Sequence, residues 1–446
     1  MQQRDIVIIG AGLTGLTAAF SLRRQGRDVL VLEKDSRIGG QIRTYCEGGF
    51  TFESGPNTGV VSFPEVTELF QSLQGACEME TARESSKRRL IWKGRQFHAL
   101  PSGPFSAVTT PLFTLTDKFR ILGEPWRKKG DNPDESVAAL ACRRLGKSFY
   151  EYAVDPFVSG VYAGDPMKLT TRYALPKLYN LEANYGSFIR GAMAKAKEPK
   201  TDRDRLVTKK VFSAVGGLQR LVEALAAGVD VITNASQIRV SPETKGYWKI
   251  SFGSHEIRAR HVITTVGAYE LPQLLPFIPE AELRPVSQLF YAPVIQVCVG
   301  IRDAGQLVYP AFGGLVPNKE QKQVLGILFP SECFAGRAPE GGALYSCFIG
   351  GARHQDYLHK SDDDIRTIVL DAFHNMLKYP DHIEPDMIRI FRHQHAIPQD
   401  GVDSGARLAT VERLQHQYPG LILAGNLRDG IGMANRIHQA YSLSKI

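Results

Sequence analysis

The sequence lacks paired cysteines. Its six cysteines lie far apart, and no two of them form a CxxC pair. This spacing indicates free thiols and excludes the common zinc and iron–sulfur ligand patterns. We therefore expect no metal site.

The sequence also has no apolar run near its start that is long enough to cross a bilayer. Residues 6–22 are uncharged but include three glycines, and a spanning helix needs about 20 mostly apolar residues. No small-residue cleavage site follows this run, so we expect no signal peptide and a cytoplasmic location.

Acidic residues are fewer than basic ones, 46 against 54, which gives a net charge of +8. Such an excess favours anionic partners. The mixed-charge run 195–210 does not indicate a nucleic-acid site, because Glu198, Asp202 and Asp204 dilute its basic residues. With 446 residues, 43% of them hydrophobic, the chain has a globular composition and is long enough for two or three structural units.

The first residues have the pattern of a nucleotide-binding βαβ unit. The pattern predicts a buried strand over 5–10, a helix over 16–24 and a second strand over 29–32. Between the first strand and the helix lies Gly10-Ala-Gly-Leu-Thr-Gly15, with the spacing GxGxxG. Further along, we predict helices over 64–73 and 135–150, a β-meander over 229–266 and a last strand over 421–425.

Each glycine of this turn has a separate role in dinucleotide binding. Gly10 allows the tight turn, Gly12 lets the backbone approach a pyrophosphate, and Gly15 lets the helix pack on the strand. The N-terminus of the helix then offers unpaired N–H groups to the phosphates. Glu33, at the end of the second strand, can accept hydrogen bonds from ribose hydroxyls, and its charge disfavours the 2′-phosphate of NADP.

A second loop distinguishes FAD from NAD. Residues 32–44 read LEKDSRIGGQIRT, with the double glycine Gly39-Gly40 and with Arg43. This pattern resembles the flavin amine oxidase superfamily, in which two loops clasp the FAD nucleotide. The closing stretch 425–433, GNLRDGIGM, resembles the second half of that FAD site. The resemblance implies that FAD is bound by Gly10, Ala11, Gly12, Leu13, Thr14, Gly15, Glu33, Lys34, Gly40, Gln41, Gly55, Pro56, Asn57, Thr58, Ile238, Gly425, Ile431, Gly432 and Met433.

Further motifs narrow the resemblance to the protoporphyrinogen oxidase family. The most specific is 155–166, DPFVSGVYAGDP, which is nearly verbatim the central motif of that family. The shorter motifs ESGPNT, FSAVGGLQ, GGLVP, LGILF, RAP and AIPQ occur in this order at 53–58, 212–219, 313–317, 325–329, 337–339 and 396–399. The sequence departs from the family at 400–403, which read DGVD, and at Asn435-Arg436, where many relatives have small residues or cysteine.

The resemblance implies an FAD-dependent oxidase that removes six electrons from protoporphyrinogen IX and gives protoporphyrin IX in heme biosynthesis, with O2 as acceptor and H2O2 as product. No cysteine follows Cys347, so the late thioether of monoamine oxidases is absent and FAD should be noncovalent. No residue is assigned as a catalytic base, because His393 and His395 are interpreted as core residues. Three alternatives stay open: coproporphyrinogen III as the substrate, another flavin amine oxidase reaction, and a flavoprotein without turnover.

The implied porphyrinogen is flat, apolar in the middle and carboxylated at its edge. A pocket for it needs apolar walls and a cation at the mouth. By resemblance, Phe329 stacks on a pyrrole, Leu315 forms part of the wall, and Arg88 anchors a propionate. Its neighbour Arg89 should point elsewhere, since successive side chains of an extended segment alternate.

We predict an α/β fold with a Rossmann-like FAD-binding domain, a mixed-sheet substrate domain and a helical, membrane-associated domain. We expect the FAD-binding domain at 1–75, 209–285 and 391–446, the substrate-binding domain at 76–100 and 286–390, and the helical domain at 101–208. Aromatic residues between Pro101 and Trp126, followed by Arg127-Lys-Lys129, suit the surface of an anionic membrane. We therefore expect peripheral membrane association, in a monomer or a homodimer.

Overall fold

Two seven-stranded sheets organise the chain in the computed structural model, which describes residues 2–446. The first sheet has a parallel core around its N-terminal strand. In spatial order its strands are Asp230–Ile232, Val29–Leu32, Gln2–Ile9, His255–Thr264, Trp248–Phe252 and Arg239–Pro242, and Leu421–Leu423 pairs with the end of His255–Thr264. Alternate residues of the first strand lie in two different hydrophobic cores, one on each face, as is typical of a parallel sheet between two layers.

The second sheet is mostly antiparallel. In spatial order its strands are Met387–Pro398, Tyr291–Ile301, Ala343–Gly350, Val324–Leu328, Gly313–Leu315, Arg89–Lys93 and Gln96–Ala99. One face of this sheet packs on the helix Asp362–Asp371 and forms a large apolar core with it. Two small sheets accompany the large ones: the hairpin Thr44–Glu47 with Phe50–Glu53, and the strands Gly59–Val60, Val211–Ala214 and Met79–Thr81.

Helices connect and cover the sheets. The α-helices are Leu13–Arg24, Pro64–Ser72, Pro104–Thr109, Leu115–Leu122, Val137–Arg144, Lys147–Phe149, Asp155–Tyr162, Thr171–Ala174, Pro176–Tyr185, Phe188–Ala196, Asp202–Arg205, Gln219–Ala226, Leu271–Leu274, Glu280–Ser287, Pro330–Cys333, Asp362–Asp371, Ser404–Gln417 and Met433–Leu443. Two π-helical turns, Tyr150–Val154 and Ala372–Met376, extend helices. Among the helices of residues 2–446, none combines the length and the apolar composition that a bilayer-spanning helix needs.

The predicted α/β fold is confirmed, and the N-terminal strand–turn–helix–strand order matches the structure. The helix predicted over 135–150 is wrong in its extent, because Gly146, with a φ of +98°, interrupts it after Val137–Arg144. The meander predicted over 229–266 is also shorter than expected. Its first segment, Asp230–Ile232, instead pairs in parallel with Val29–Leu32.

A buried ion pair stabilises the helical region. Glu124 and Arg144 are both fully buried and form an ion pair. The Glu124 carboxylate also accepts hydrogen bonds from the Ser187 hydroxyl at 2.5 Å and from the N–H groups of Phe188 and Ile189 at 2.9 and 3.2 Å. This one carboxylate therefore joins three helical segments that are distant in sequence.

Candidate functional site

The glycine turn has the geometry that the sequence predicts. Gly10 has a φ of +104°, and its N–H donates to the carbonyl of Leu32 at 2.8 Å. A Cβ on Gly15 would lie 2.0 Å from the carbonyl oxygen of Gly10, so only glycine lets the helix approach the strand this closely. Apart from Gly12 itself and its two chain neighbours, no residue of 2–446 has an atom within 4 Å of the place that a Cβ on Gly12 would take. The space over Gly12 is therefore open to a ligand.

The second glycine loop packs against the first. The N–H of Gly39 donates to the carbonyl of Ala11 at 2.8 Å, and Gly39 pairs with Gly12 in an isolated bridge. A Cβ on Gly40 would lie 3.2 Å from the Cα of Gly12. The two loops thus form one continuous backbone cradle, and Gln41 extends it by donating to the carbonyl of His395 at 3.0 Å.

The buried carboxylate of Glu33 supports this cradle. It accepts the N–H of Ala11 at 2.7 Å and the N–H of Asp35 at 3.0 Å. Since a carboxylate has about four acceptor sites, these bonds leave capacity for ribose hydroxyls, and that role stays a prediction. The structure places two other predicted cofactor residues at the edge of this region. Lys34 pairs with Glu270 at 2.9 Å, and Ile238 packs beside the core.

The closing segment reaches the cradle from the other end of the sequence. A Cβ on Gly425, whose φ is +88°, would lie 2.8 Å from the carbonyl oxygen of Thr265. Beyond this close backbone contact, the helix Met433–Leu443 packs against the helix Leu13–Arg24. Both helices begin after a glycine that offers no side-chain cap, so each N-terminus can present its N–H groups to an anion.

Arg436 adds a buried positive charge beneath the closing segment. Its guanidinium donates to the carbonyl oxygens of Gly425 and Arg428, the latter at 2.7 Å, and to the side-chain oxygen of Gln439 at 3.0 Å. These partners are neutral, and burial lowers the pKa of Arg436 to about 10. The sequence identified this residue only as a departure from the family. The structure shows that it holds the closing segment in place.

The loop 53–58 connects the cradle to the second sheet. Gln296, on the strand Tyr291–Ile301, accepts the N–H of Gly55 at 2.8 Å and donates to the carbonyl of Glu53 at 2.7 Å. The hydroxyl of Ser346 donates to the side-chain oxygen of Asn57 at 3.1 Å. Sequence reasoning missed Gln296 and Ser346, because neither lies in a recognisable motif.

Cross-strand partners point to the same side of a sheet. Starting from Gln296 and Ser346, the strand register therefore defines two neighbouring rows of side chains on one face. We call this surface the site face. One row holds Gln296, Phe348, Gly326, Leu315 and Ile91, and the other holds Cys298, Ser346, Leu328, Gly313 and Arg89.

These features fit a flavin dinucleotide. The open space over Gly12, the two uncapped helix N-termini and the buried charge of Arg436 suit an anionic diphosphate, and the loop 53–58 lies between that region and the site face. A model of the family described as flavin containing amine oxidoreductase matches residues 13–435. The chain belongs to this family. Its cofactor is FAD, which when bound supplies the hydride-accepting chemistry of a flavin oxidoreductase.

Relatives of this flavin-containing amine oxidoreductase cover almost its whole length. Protoporphyrinogen oxidase 2 of Arabidopsis thaliana is 30% identical and covers 97% of this chain and 92% of its own. Coproporphyrinogen III oxidase of Bacillus subtilis is 26% identical, and the match covers 98% of this chain and 96% of that protein. The crystal structure of a candidate protoporphyrinogen oxidase from Exiguobacterium matches with a TM-score of 0.82 and 23% identity. The match covers 100% of this chain and 98% of that chain. The resemblance noted in the sequence is thus confirmed.

The two neighbouring arginines predicted to differ in direction lie in different environments. Arg88 is exposed, and its guanidinium has no hydrogen-bond or ion-pair partner within residues 2–446. Arg89 is partly buried on the site face, with its guanidinium 4.2 Å from the ring centroid of Phe312. Burial lowers the pKa of Arg89, and none of the described carboxylates pairs with it. Of the two arginines, Arg89 is the one whose strand position lies on the site face.

Phe329 lies on the opposite side of the second sheet from the site face. It is fully buried, its ring packs edge-on against Tyr345 with centroids 5.6 Å apart, and Tyr309 lies 5.5 Å away. This placement does not support the stacking role predicted for Phe329. The apolar surface of the site face comes instead from the partly buried Leu328 and Phe348, together with Leu315, whose role as a wall of the substrate pocket stays a prediction.

The central motif, 155–166, forms a side of the same region. A Cβ on Gly160 would lie 2.4 Å from Leu315 Cδ2, so this glycine brings the helix Asp155–Tyr162 directly against the site face. Arg353 fixes the helix by pairing with Asp155 at 2.7 Å and with Asp165 at 3.2 Å.

The late motif contacts the central one. Gln399 donates to the carbonyl of Tyr162 at 2.9 Å. The departure at Asp400 also has a structural explanation, because its carboxylate pairs with the buried guanidinium of Arg407 at 2.5 Å.

Proposed function

We propose that this oxidoreductase is an oxygen-dependent porphyrinogen oxidase, which converts protoporphyrinogen IX to protoporphyrin IX in heme biosynthesis with O2 as acceptor and H2O2 as product. Similarity to proteins named protoporphyrinogen oxidase over almost the whole chain supports the proposal. Each oxidation step would remove one hydride and one proton, three times in all, and the protein would supply position and electrostatics.

The observation that carries the proposal is Arg89 on the site face, whose guanidinium donates to the carbonyl of Lys87 at 3.2 Å but forms no ion pair with any described carboxylate. We call the loop 53–58 the flavin loop. Ser346, which binds Asn57 of this loop, is three strands away from Arg89 along one row of the site face. Three inter-strand spacings of about 4.8 Å amount to roughly 14 Å. This span suits a flat macrocycle whose reacting carbon lies near the loop and whose carboxylate reaches the guanidinium. The partly apolar surface between them suits its rings.

The test compares both porphyrinogens as substrates and uses the two arginines as a matched pair. Purified protein with protoporphyrinogen IX should give porphyrin fluorescence, O2 uptake and H2O2. Because a charged hydrogen bond contributes roughly 1.5–3 kcal/mol, Arg89→Gln should raise KM about tenfold to a hundredfold, with a smaller effect on kcat and none on FAD content. Arg88→Gln should leave both constants unchanged. Equal kinetics in the two variants would contradict the anchor, and no porphyrin from either substrate would contradict the function.

Coproporphyrinogen III is the second candidate substrate. The net charge of +8 and the similarity to coproporphyrinogen III oxidase of Bacillus subtilis favour it, because this substrate carries four carboxylates and the other carries two. The ratio of the two kcat/KM values in the same assay decides between them.

We also propose that the helical region binds the surface of an anionic membrane. Six large apolar side chains of this region are at least 65% exposed: Phe105, Val108, Leu115, Phe119, Leu122 and Trp126. Three basic residues, Arg127, Lys128 and Lys129, follow them directly. Large exposed apolar patches, unlike single exposed apolar residues, mark interaction or membrane surfaces, and adjacent basic residues favour an anionic lipid surface.

The domain division and the cytoplasmic location stay proposals. Strands of the second sheet come from residues 89–99 and 291–398, which supports a discontinuous substrate domain inserted into the FAD-binding domain. All six cysteines are free, which favours a reducing compartment.

A further inference from the structure

His393 lies on the same side of the second sheet as Gln296. Its cross-strand partner on Tyr291–Ile301 is Val294, two residues before Gln296, and residues two apart on a strand share a face. The strand that carries His393 also touches the FAD cradle directly, because Gln41 donates to the carbonyl of His395. The imidazole is thus on the sheet face that holds the flavin loop.

The Nε2 atom of His393 is buried and has no hydrogen-bond partner within residues 2–446. Buried polar atoms in folded proteins are almost always paired, and one that is not needs an explanation. Burial lowers the pKa of His393, and no charged residue contributes to the shift. The ring is therefore neutral near pH 7, with a nitrogen available to accept a proton.

We infer that His393 is the proton acceptor of porphyrinogen oxidation, an inference that rests on the proposed function. As the substrate loses a hydride to FAD, the imidazole takes the accompanying proton and becomes an imidazolium. Over the three steps two of these protons come in net terms from pyrrole nitrogens and one from a bridging carbon. It then releases the proton to water before the next of the three steps. Each step thus removes two electrons and two hydrogens from the substrate, and the histidine is restored.

The experiment measures anaerobic reduction of the FAD-loaded enzyme by protoporphyrinogen IX in a stopped-flow instrument. A general base contributes typically 10²–10⁴-fold, so His393→Gln should slow flavin reduction by about that factor. FAD content, the thermal unfolding midpoint and reoxidation of dithionite-reduced enzyme by O2 should be those of the parent. The matched control is His359→Gln, which changes an exposed histidine and should leave the reduction rate unchanged.

A merely structural role is separated by chemical rescue. Added imidazole should restore part of the reduction rate in His393→Ala, because a free base can occupy the vacated space. A parent-like rate in His393→Gln, or a slow His393→Ala that imidazole does not accelerate, would overturn the inference while leaving the proposed function intact. A parent protein that neither porphyrinogen reduces would overturn both.

Discussion

A side chain on Gly12 would occupy the space that we assign to the FAD pyrophosphate. The position is otherwise unobstructed, so Gly12→Leu should fold normally and yet lose nearly all bound FAD. The ratio of flavin absorbance to protein absorbance after purification measures this loss. Gly103→Leu is the control, since this glycine is exposed, extended and free of neighbours. Retention of flavin in Gly12→Leu would show that the nucleotide lies elsewhere.

FAD should leave the protein on denaturation. No cysteine follows Cys347 in the sequence, and the cradle consists of backbone and of side chains that form no thioether. Acid precipitation should therefore transfer the yellow colour to the supernatant, where FAD can be identified by chromatography. A coloured pellet would contradict noncovalent binding.

Single side-chain directions were the hardest feature to predict from the sequence. Side chains of an extended segment alternate between its two faces. Which face a given side chain takes can be predicted only if the first residue of the strand is known. At Arg89 the strand begins only after the short helix Glu84–Lys87, and at Phe329 the preceding strand contains a register shift between Val324 and Gly326. Both irregularities depend on tertiary pairing. The glycine turn was predictable because its conformation is set locally.

Among the helices, the buried pair of Glu124 and Arg144 should dominate the stability of the helical region. Burial alone would raise the pKa of Glu124, but hydrogen bonds from Ser187 and from two backbone N–H groups, together with Arg144, hold it below the usual value. Its stabilisation is therefore present above the unfolded pKa of about 4.3 and is lost as the pH falls through the lower folded value.

Glu124→Gln removes the shorter of the two ion pairs of the buried Arg144 guanidinium and leaves only Glu182, at 3.4 Å. Breaking a buried ion pair costs up to about 3–5 kcal/mol of unfolding free energy. Urea unfolding at several pH values between neutral and strongly acidic measures both effects, and the variant should lose part of the acid sensitivity of the parent. The control Glu84→Gln removes an exposed partner of Lys87 and should change nothing measurable. An unaltered urea midpoint in Glu124→Gln would show that the pair is not essential.

The exposed apolar side chains of the same region predict membrane binding. Parent protein should float with anionic liposomes at low salt and less at high salt, because salt screens the basic residues. The double variant Phe119→Ser with Trp126→Ser should remain at the bottom of the gradient even at low salt. The matched variant Val308→Ser with Val402→Ser, also exposed but in other parts of the chain, should float as the parent does.

Elements with strong local signals were predicted well, and those that depend on context were not. The strand Val29–Leu32 and the helix Pro64–Ser72 match the prediction closely, since apolar runs and a proline at the helix start define them. The helix predicted over 135–150 breaks at Gly146, where Arg120 occupies the place of a Cβ. That packing is not visible in the sequence.

At the scale of the whole molecule, the cofactor region combines distant segments. The cradle comes from residues 10–41, the flavin loop from 53–58 and the closing helix from 433–443. The resemblance indicated that these segments share one ligand. Which groups of the second sheet hold the loop could not be predicted, because Gln296 and Ser346 become neighbours of Gly55 and Asn57 only through long-range pairing.

Those two side chains have a thermodynamic consequence. Because Gln296 and Ser346 fix the flavin loop from the sheet that we assign to the substrate, any ligand that shifts this sheet must change the affinity for FAD. Linkage then requires FAD to change the affinity for that ligand by the same factor. Calorimetric titration of a non-oxidisable porphyrin into protein with and without FAD should give a different dissociation constant in each case. In the Gln296→Met variant, the dissociation constants measured with and without FAD should differ less than they do in the parent protein.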